Sequence, residues 1–305
     1  MIEHCKQFAK PNAYKATVTI AHTLFVECLA VLCIQSPFPL VGWMIHTLTR
    51  IRWFVIFHDM AHYSFFPSIA YNQFFGEWLG IYAIFPFQAW RDGHNHHHQH
   101  FGLLGGEDVS QTILFTKQEY LAYPWAKRIG IRMIREPIVF FLVTVPTLWT
   151  FGTLVQYLRT YPWYHRIVFT KLAALLLFGM VASVEMWVSY YCSIVLGGVL
   201  FHLQHSVNTP YRKREGEWTR DTASLLGSTY LQIPPLLSFF TLGIEYHHIH
   251  HLHVMVPSYC IAECHSSYPP GEWAGVVKVD AELALESLQN VMYDEEKGLC
   301  VGFDT

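Results

Sequence analysis

Charge is what this sequence has least of. Of its 305 residues, 14% are charged and 52% hydrophobic, with a positive mean hydropathy. A soluble domain usually carries about 25% charged residues, so the balance points to a membrane protein. Basic excess is missing too: the formal net charge is −3 and Lys and Arg are scattered through loops, which leaves no nucleic-acid footprint. The seven cysteines (5, 28, 33, 192, 260, 264 and 300) form no C-x-x-C pair. They are expected as reduced, mostly buried thiols rather than a disulfide framework. The opening MIEHCKQFAKPN has an acidic residue and no apolar core, so it is not expected to be a secretory signal. No H-E-x-x-H, internal repeat or separate soluble domain is visible.

What is present is a set of long apolar runs, at 16–34, 38–57, 137–158, 167–183 and 186–204, with a shorter one at 231–244. A crossing takes about 20 apolar residues. Glu27 in the first run is expected to face protein or be protonated, and Arg50 and Arg52 to snorkel from the end of the second. His22 and His46, inside these runs, are expected as satisfied core histidines. The arm bearing Lys6, Lys10 and Lys15 and the loop bearing Arg91, Lys117, Lys127, Arg128, Arg132 and Arg135 are basic. The positive-inside rule puts both on the cytoplasmic side of a two-span hairpin.

Histidine is abundant and ordered. Residues 94–100, HNHHHQH, hold five imidazoles, but only one register satisfies H-x-x-H-H: His94, His97 and His98. The spacing recurs once at His247, His250 and His251, and FHDMAH supplies His58 and His62 at H-x-x-x-H. On a helix, positions i, i+3 and i+4 share one face, so each box aims its imidazoles at one point. A solvated polar tract has no reason to keep that spacing three times. Imidazole is a nitrogen donor for iron, copper, nickel and zinc. Eight histidines exceed the roughly three protein ligands of one catalytic zinc and suit two metals, with iron favoured by ligand type and availability.

A common site requires an even number of crossings between His98 and His247. Either 137–158 spans and 167–204 is one long helix, or 137–158 is re-entrant and the next two runs span. Pro146 and the break at Ser183–Glu185 favour the second. The expected fold is an all-α integral membrane protein, with four spanning helices, interfacial or re-entrant helices and a cytoplasmic cap carrying the boxes. It is read as one domain over 1–305: an arm (1–15), a membrane and histidine-box core (16–262) and a polar cytoplasmic extension (263–305).

The stretches RIRWFVIFHDMAHYSFF, WRDGHNHHHQHFG, LFHLQHS and GIEYHHIHHLHVMVPSY resemble the membrane fatty acid desaturases, above all their acyl-lipid Δ12/ω6-type group. Box order and separation match as well, with 31 residues between the first two boxes and 148 between the last two. The first box reads HDMAH where the family usually has HDxGH, a change between ligands that bears on pocket shape. The resemblance implies a nonhaem diiron centre at the cytoplasmic helix ends, held by the eight box histidines and by His205 in LFHLQHS. It implies that O2 and two electrons are used to place a cis double bond in an acyl chain. The substrate would be an acyl-lipid or acyl thioester. No H-P-G-G signature or cysteine cluster occurs, so an external donor, cytochrome b5 or ferredoxin, is expected. The membrane would be the endoplasmic reticulum in a eukaryote, and an inner or plastid membrane otherwise.

Other polar residues have duller readings. His202, one turn before His205, commonly aligns with an aromatic in the family and is expected to pack in the core or beside the ligands. His96, His100, His248 and His253 fall off the box registers and are expected as supporting or solvated. Asp59, Asp92, Glu107 and Asp108 are candidates to accept a ligand's second N–H, with solvation an equal alternative. Trp90 and Arg91 are read as structural, and FFPSIAYNQFFGEW as an interfacial aromatic belt. The rival functions are a histidine-box hydroxylase or ketolase on another lipid, and a metal transporter. A transporter would place its ligands at the midplane, often in repeated halves.

Overall fold

The computed structural model describes residues 1–105, 115–152 and 172–304, less 174, 177, 178, 181 and 274. A short helix α1 (Ile2–Phe8) precedes α2 (Ala13–Ile34), which Asn12 caps by accepting from the Lys15 N–H at 3.0 Å. Twenty-two residues rise about 33 Å, enough to cross a bilayer core. Leu24, Phe25, Leu29 and Leu32 face outward along it, as lipid contact demands. A tight turn returns the chain into α3 (Pro39–Ala61), with proline at the start, where its missing N–H costs nothing.

α3 buries its polar residues inside the protein. Arg52 donates to Thr23 Oγ1 at 2.9 Å and to the Phe239 carbonyl. His46 lies 3.1 Å from Glu27, which also accepts from the Tyr82 hydroxyl at 2.8 Å. Glu27 therefore faces protein, as expected, and His46 is buried in the core beside it, although neither of its ring nitrogens makes a hydrogen bond among the described residues. His22 is not buried: it lies exposed on α2, because the buried side of that helix is taken by Ala16, Thr19, Thr23 and Ala30.

The aromatic stretch becomes α4 (Ile69–Tyr82), capped by Ser68, with Ile69, Phe74, Phe75 and Trp78 exposed. The second box rides on α5 (Phe87–His100). Trp53, Phe57, Phe65, Phe85, Phe87 and Trp90 form the core between α3, α4 and α5. Strand β1 (Leu103–Leu104) follows, then α6 (Lys117–Ala122) and α7 (Trp125–Arg135). α7 exposes Trp125, Ile129, Met133 and Ile134 on one side and basic residues on another, the make-up of a helix lying in a membrane interface. A composite α/π helix, α8 (Pro137–Gly152), comes next. The end of the run 137–158 and most of 167–183 lie outside the described residues. α9 (Val184–His205) ends on His205.

Among the described residues, α2 and α9 are the helices long and apolar enough to cross a membrane. α3 matches them in length but carries Arg50, Arg52 and His46. The four-span arrangement is thus not fixed by helix length and composition.

The remaining segments form a cap. They are β2 (Lys213–Arg214), α10 (Arg220–Leu226), β3 (Thr229–Leu231), α11 (Pro235–Thr241), α12 (His247–Leu252), α13 (Ser258–Ser266), β4 (Val277–Val279), α14 (Ala281–Ser287), β5 (Met292–Asp294) and β6 (Leu299–Val301). β1 pairs in parallel with β2, and β3 with β4, while β5 and β6 make an antiparallel hairpin. The first pair ties the chain after box two to the chain after His205. A bridge from Tyr230 to Tyr246 sets the entry to box three. The C-terminal residues expected as an extension fold back: Asn208 accepts from Cys300 N at 2.7 Å, and Arg132 meets Asp304 at 2.7 Å. Apolar packing joins these contacts: Val291, Met292 and Val301 form a buried cluster with Phe115, Tyr120 and Phe303. At the other terminus, Met1 N donates to Tyr268 Oη at 3.0 Å, so both ends sit with the cap. All seven cysteines are free, with Cys5, Cys260, Cys264 and Cys300 buried.

α2 and α3 meet closely at Gly42, where an added Cβ would lie 2.4 Å from Ile34 N and 2.7 Å from Ala30 O. Only the smallest residue permits so close an approach between two packed helices. Gly130 on α7 has nothing within 4 Å of such a Cβ. Gly42→Leu is expected to destabilise the protein by about 1–3 kcal/mol. Gly130→Ala is expected to be neutral or to stabilise by up to about 1 kcal/mol. Thermal unfolding in detergent checks the pair, and equal effects would mean that Gly42 is not a tight contact.

Candidate metal centre

Each box sits where its backbone can aim it inward. His58 and His62 end α3, one turn apart, before Tyr63 takes a left-handed φ of 57° and breaks the helix. His94, His97 and His98 line one face of α5, and His247, His250 and His251 one face of α12. His205 is the last residue of α9. The structure brings all nine together in two adjoining groups. In one, the ring nitrogens of His58, His62, His94, His98 and His250 lie within 4.8 Å of one another; in the other, those of His97, His205 and His251 do. His247 joins the second, its Nε2 lying 3.0 Å from His205 Nε2 and 3.1 Å from His251 Nε2. The groups touch where the His98 and His251 rings stand 4.2 Å apart.

The spacing of the nitrogens says what they can hold. His98 Nε2 is 3.0 Å from His94 Nε2 and 2.9 Å from His250 Nε2, and His205 Nε2 is also 3.2 Å from His97 Nε2. A ring nitrogen carries either one proton or one lone pair. Each of His98, His205 and His247 faces two other nitrogens, so hydrogen bonding alone satisfies about half of these contacts. A shared cation satisfies all of them. Ligands about 2.1 Å from one metal and at right angles stand about 3 Å apart. The rings fit a nitrogen-liganded metal in each group, with no thiolate among the donors.

Protonation is consistent. Burial, and then the neighbouring imidazoles, hold His94, His98, His247, His250 and His251 well below the ordinary histidine range. They are neutral, the form that binds metal. Nδ1 of His98, His247, His250 and His251 has no hydrogen-bond partner among the described residues. His58 differs, because Asp59 Oδ1 lies 3.2 Å from its Nδ1. That contact keeps the proton on Nδ1 and turns the Nε2 lone pair inward. Asp59 Oδ2 also accepts from the Ser258 N–H at 2.6 Å, and the side chain is buried.

The other candidates separate cleanly. Asp92 meets Gln88 and Arg91, while Glu107 and Asp108 lie outside the described residues. His202 donates to the Ser287 carbonyl at 2.8 Å and packs on Phe141, away from both groups. His248 faces His265 at 3.2 Å and Trp273. His96 and His100 stack on each other at the edge of the site, and His253 is half-buried. Trp90 stacks on His94 with centroids 4.2 Å apart, and Arg91 reaches the Tyr63 hydroxyl. Two supports had no signal in the sequence. Arg212 donates to the His205 carbonyl at 2.8 Å, and buried Glu245 accepts from Thr241 at 2.6 Å and from Ser238, just before box three.

The cage opens on a cavity of about 400 Å³ that reaches back between the helices. His58, His94, His97, His205 and His247 line one part of it, and residues such as Trp53, Phe54, Leu79, Trp149 and Ile194 line much of the rest.

The profile of the family described as "Fatty acid desaturase" matches residues 35–272. The chain is similar to a "Fatty acid desaturase" of Bacillus subtilis, 28% identical over 273 residues, covering 84% of this chain and 74% of that one. It is similar to an "sn-1 oleoyl-lipid 12-desaturase" of a Picosynechococcus strain, 24% identical over 304 residues, covering 92% and 84%. It also matches an "Omega-6 fatty acid desaturase, chloroplastic" of Glycine max, 23% identical over 270 residues, covering 81% of this chain and 61% of that one.

Asp59→Ala removes the acceptor for His58 Nδ1. Loss of such a support typically costs 10–100-fold in metal affinity, and that range is expected in a metal titration of the purified protein. Asp92→Ala is expected to leave affinity unchanged. Equal losses from the two variants would place the effect in the cap rather than in the orientation of His58.

Proposed function

The chain belongs to the fatty acid desaturase family, and from that premise we propose that it inserts a cis double bond into a mono-unsaturated C16 or C18 acyl chain at a diiron centre. The observation that carries this reading is two adjoining groups of imidazoles, almost all of them buried, facing one largely apolar cavity. His58, His62, His94, His98 and His250 would hold one iron, and His97, His205, His247 and His251 the other. The metals would supply dioxygen activation and hydrogen removal, chemistry that no side chain here can perform. The chain's own residues do the rest. Trp53, Phe54, Leu79 and Trp149 exclude water and seat methylenes against the imidazole-lined wall. Trp90 fixes His94, Asp59 fixes His58, and Arg212 fixes the backbone of His205. The part the cavity residues play is to position the acyl chain against the metals.

The relatives named for oleoyl-lipid 12- and omega-6 desaturation support the Δ12/ω6-type assignment. The membrane arrangement proposed is four spans, with boxes and both termini on the cytoplasmic side, where cytochrome b5 or a ferredoxin could deliver electrons. The contacts of both termini with the cap favour it.

Lipid analysis after expression in a host lacking polyunsaturates, with an electron donor supplied, tests the activity. An added cis double bond is expected, and an unchanged profile with iron bound would count against it. The ligand set has its own test. His205→Ala is expected to abolish desaturation and lower bound iron, whereas His202→Phe keeps most of both. An active, iron-replete His205→Ala would remove His205 from the centre.

A further inference from the structure

Behind box three two thiols meet that take no part in metal binding. Cys5 lies in the middle of α1 and Cys264 near the end of α13, both fully buried. The Cys264 thiol donates to the Cys5 sulfur at 3.7 Å, across a separation of 259 residues. Neighbouring contacts hold the two helices in that register. A His4 ring nitrogen donates to the Cys264 carbonyl at 2.9 Å, and Met1 N donates to Tyr268 Oη at 3.0 Å. Both cysteines belong to one buried cluster with Val256, Ile261, Trp273 and Ile249, the last of which lies between residues of box three. Cys260 shares that cluster, but its sulfur faces Lys15 Nζ at 3.5 Å.

A disulfide needs its sulfurs about 2.05 Å apart, so a small side-chain rotation brings this pair to bonding distance. The two thiols are not equivalent. The hydrogen bond from Cys264 holds the Cys5 thiol below the ordinary cysteine range, and the same bond pushes Cys264 up. The thiolate is the attacking form in disulfide exchange, so Cys5 attacks first and Cys264 follows. Access comes from the helix that carries Cys5. A helix of seven residues is too short to be stable by itself. Packing alone keeps α1 closed, and segments held in that way open locally at low free energy.

We propose that Cys5 and Cys264 are a redox modification site, oxidised by a low-molecular-weight disulfide to a reversible bond that staples α1 to the cap behind box three. In the first step the Cys5 sulfur attacks one sulfur of the oxidant, whose S–S bond breaks and releases one small thiol. The Cys264 sulfur then attacks Cys5 in the mixed disulfide and expels the second small thiol. The two protein thiols lose two electrons and two protons, and the oxidant gains them as two thiols. The bond closes the opening of α1 and with it holds the apolar packing around Ile249. Oxidation thus stiffens the support of box three from the side away from the acyl cavity.

Glutathione disulfide, added to the purified, iron-loaded full chain, tests this. Remaining thiols are capped, and the protein is digested without reduction for peptide mass mapping. A peptide linking Cys5 to Cys264 is expected, with no glutathione retained on either, and excess reduced glutathione is expected to undo it. The oxidised protein is expected to unfold roughly 5–10 °C above the reduced one. That rise is expected to vanish in Cys5→Ser and to persist in Cys260→Ser, while Cys264→Ser stops at glutathione bound to Cys5. Glutathione left on Cys5 of the unsubstituted chain, a link from Cys5 to Cys260, or two unreacted thiols at Cys5 and Cys264 overturns the pairing. The map needs no variant, so it decides the pairing even where a substituted chain does not fold. A Cys5–Cys264 link without a thermal rise overturns the staple.

Discussion

Crowding of neutral nitrogen is the constraint on which the rest of this structure depends. Nine imidazoles share one buried region, and several Nε2 atoms stand 2.9–3.2 Å from two others. Each buried polar atom left unsatisfied costs about 1–3 kcal/mol. Such a cage is stable only if something rigid holds it and a cation fills it. Charge relief by protonation is opposed by burial, which holds His94, His98, His247, His250 and His251 well below the ordinary histidine range. The surrounding architecture answers that demand. Helix ends converge from the membrane side, and strand pairs pin the loops that follow and precede the ligands.

The supports act at three distances. Asp59 sets a proton on the adjacent ring. Arg212 and Glu245 work one layer out, the first on the His205 backbone and the second on the turn that launches α12. Farther away, β1–β2 and β3–β4 hold the ends of box two and box three against the chain after α9. None of these parts binds metal on the present reading, but each limits how far a ligand can swing.

The sequence made the boxes legible because helical spacing is a local property: i, i+3 and i+4 point one way whatever the fold. It could not separate Asp59 from Asp92. Both lie within helices that carry aromatics and a histidine box, and it takes the approach of Ser258 from far along the chain to distinguish the buried one. His205 and His202 were equally ambiguous by spacing, one turn apart on nearly one face, and it took family likeness to favour His205. The described geometry puts His202 on a carbonyl instead. His22 misled because a histidine within an apolar run suggests burial, whereas small residues had already claimed the inner face of α2. In the tail the overall polar composition concealed a few apolar residues, Val291, Met292 and Val301, that pack against Phe115 and Tyr120 from far back in the chain.

Asp59 also reaches across time. Its carboxylate is closed by the N–H of Ser258, 199 residues later, and His58 packs against His250 at 4.3 Å. At a synthesis rate of about 5–20 residues per second, the first box waits roughly 10–40 s for its partners while α2 and α3 are already made. During that interval a nascent chain holds an acid and two imidazoles with no finished site around them. The site is therefore completed late in biogenesis, and a chain cut short before residue 250 can complete neither cluster.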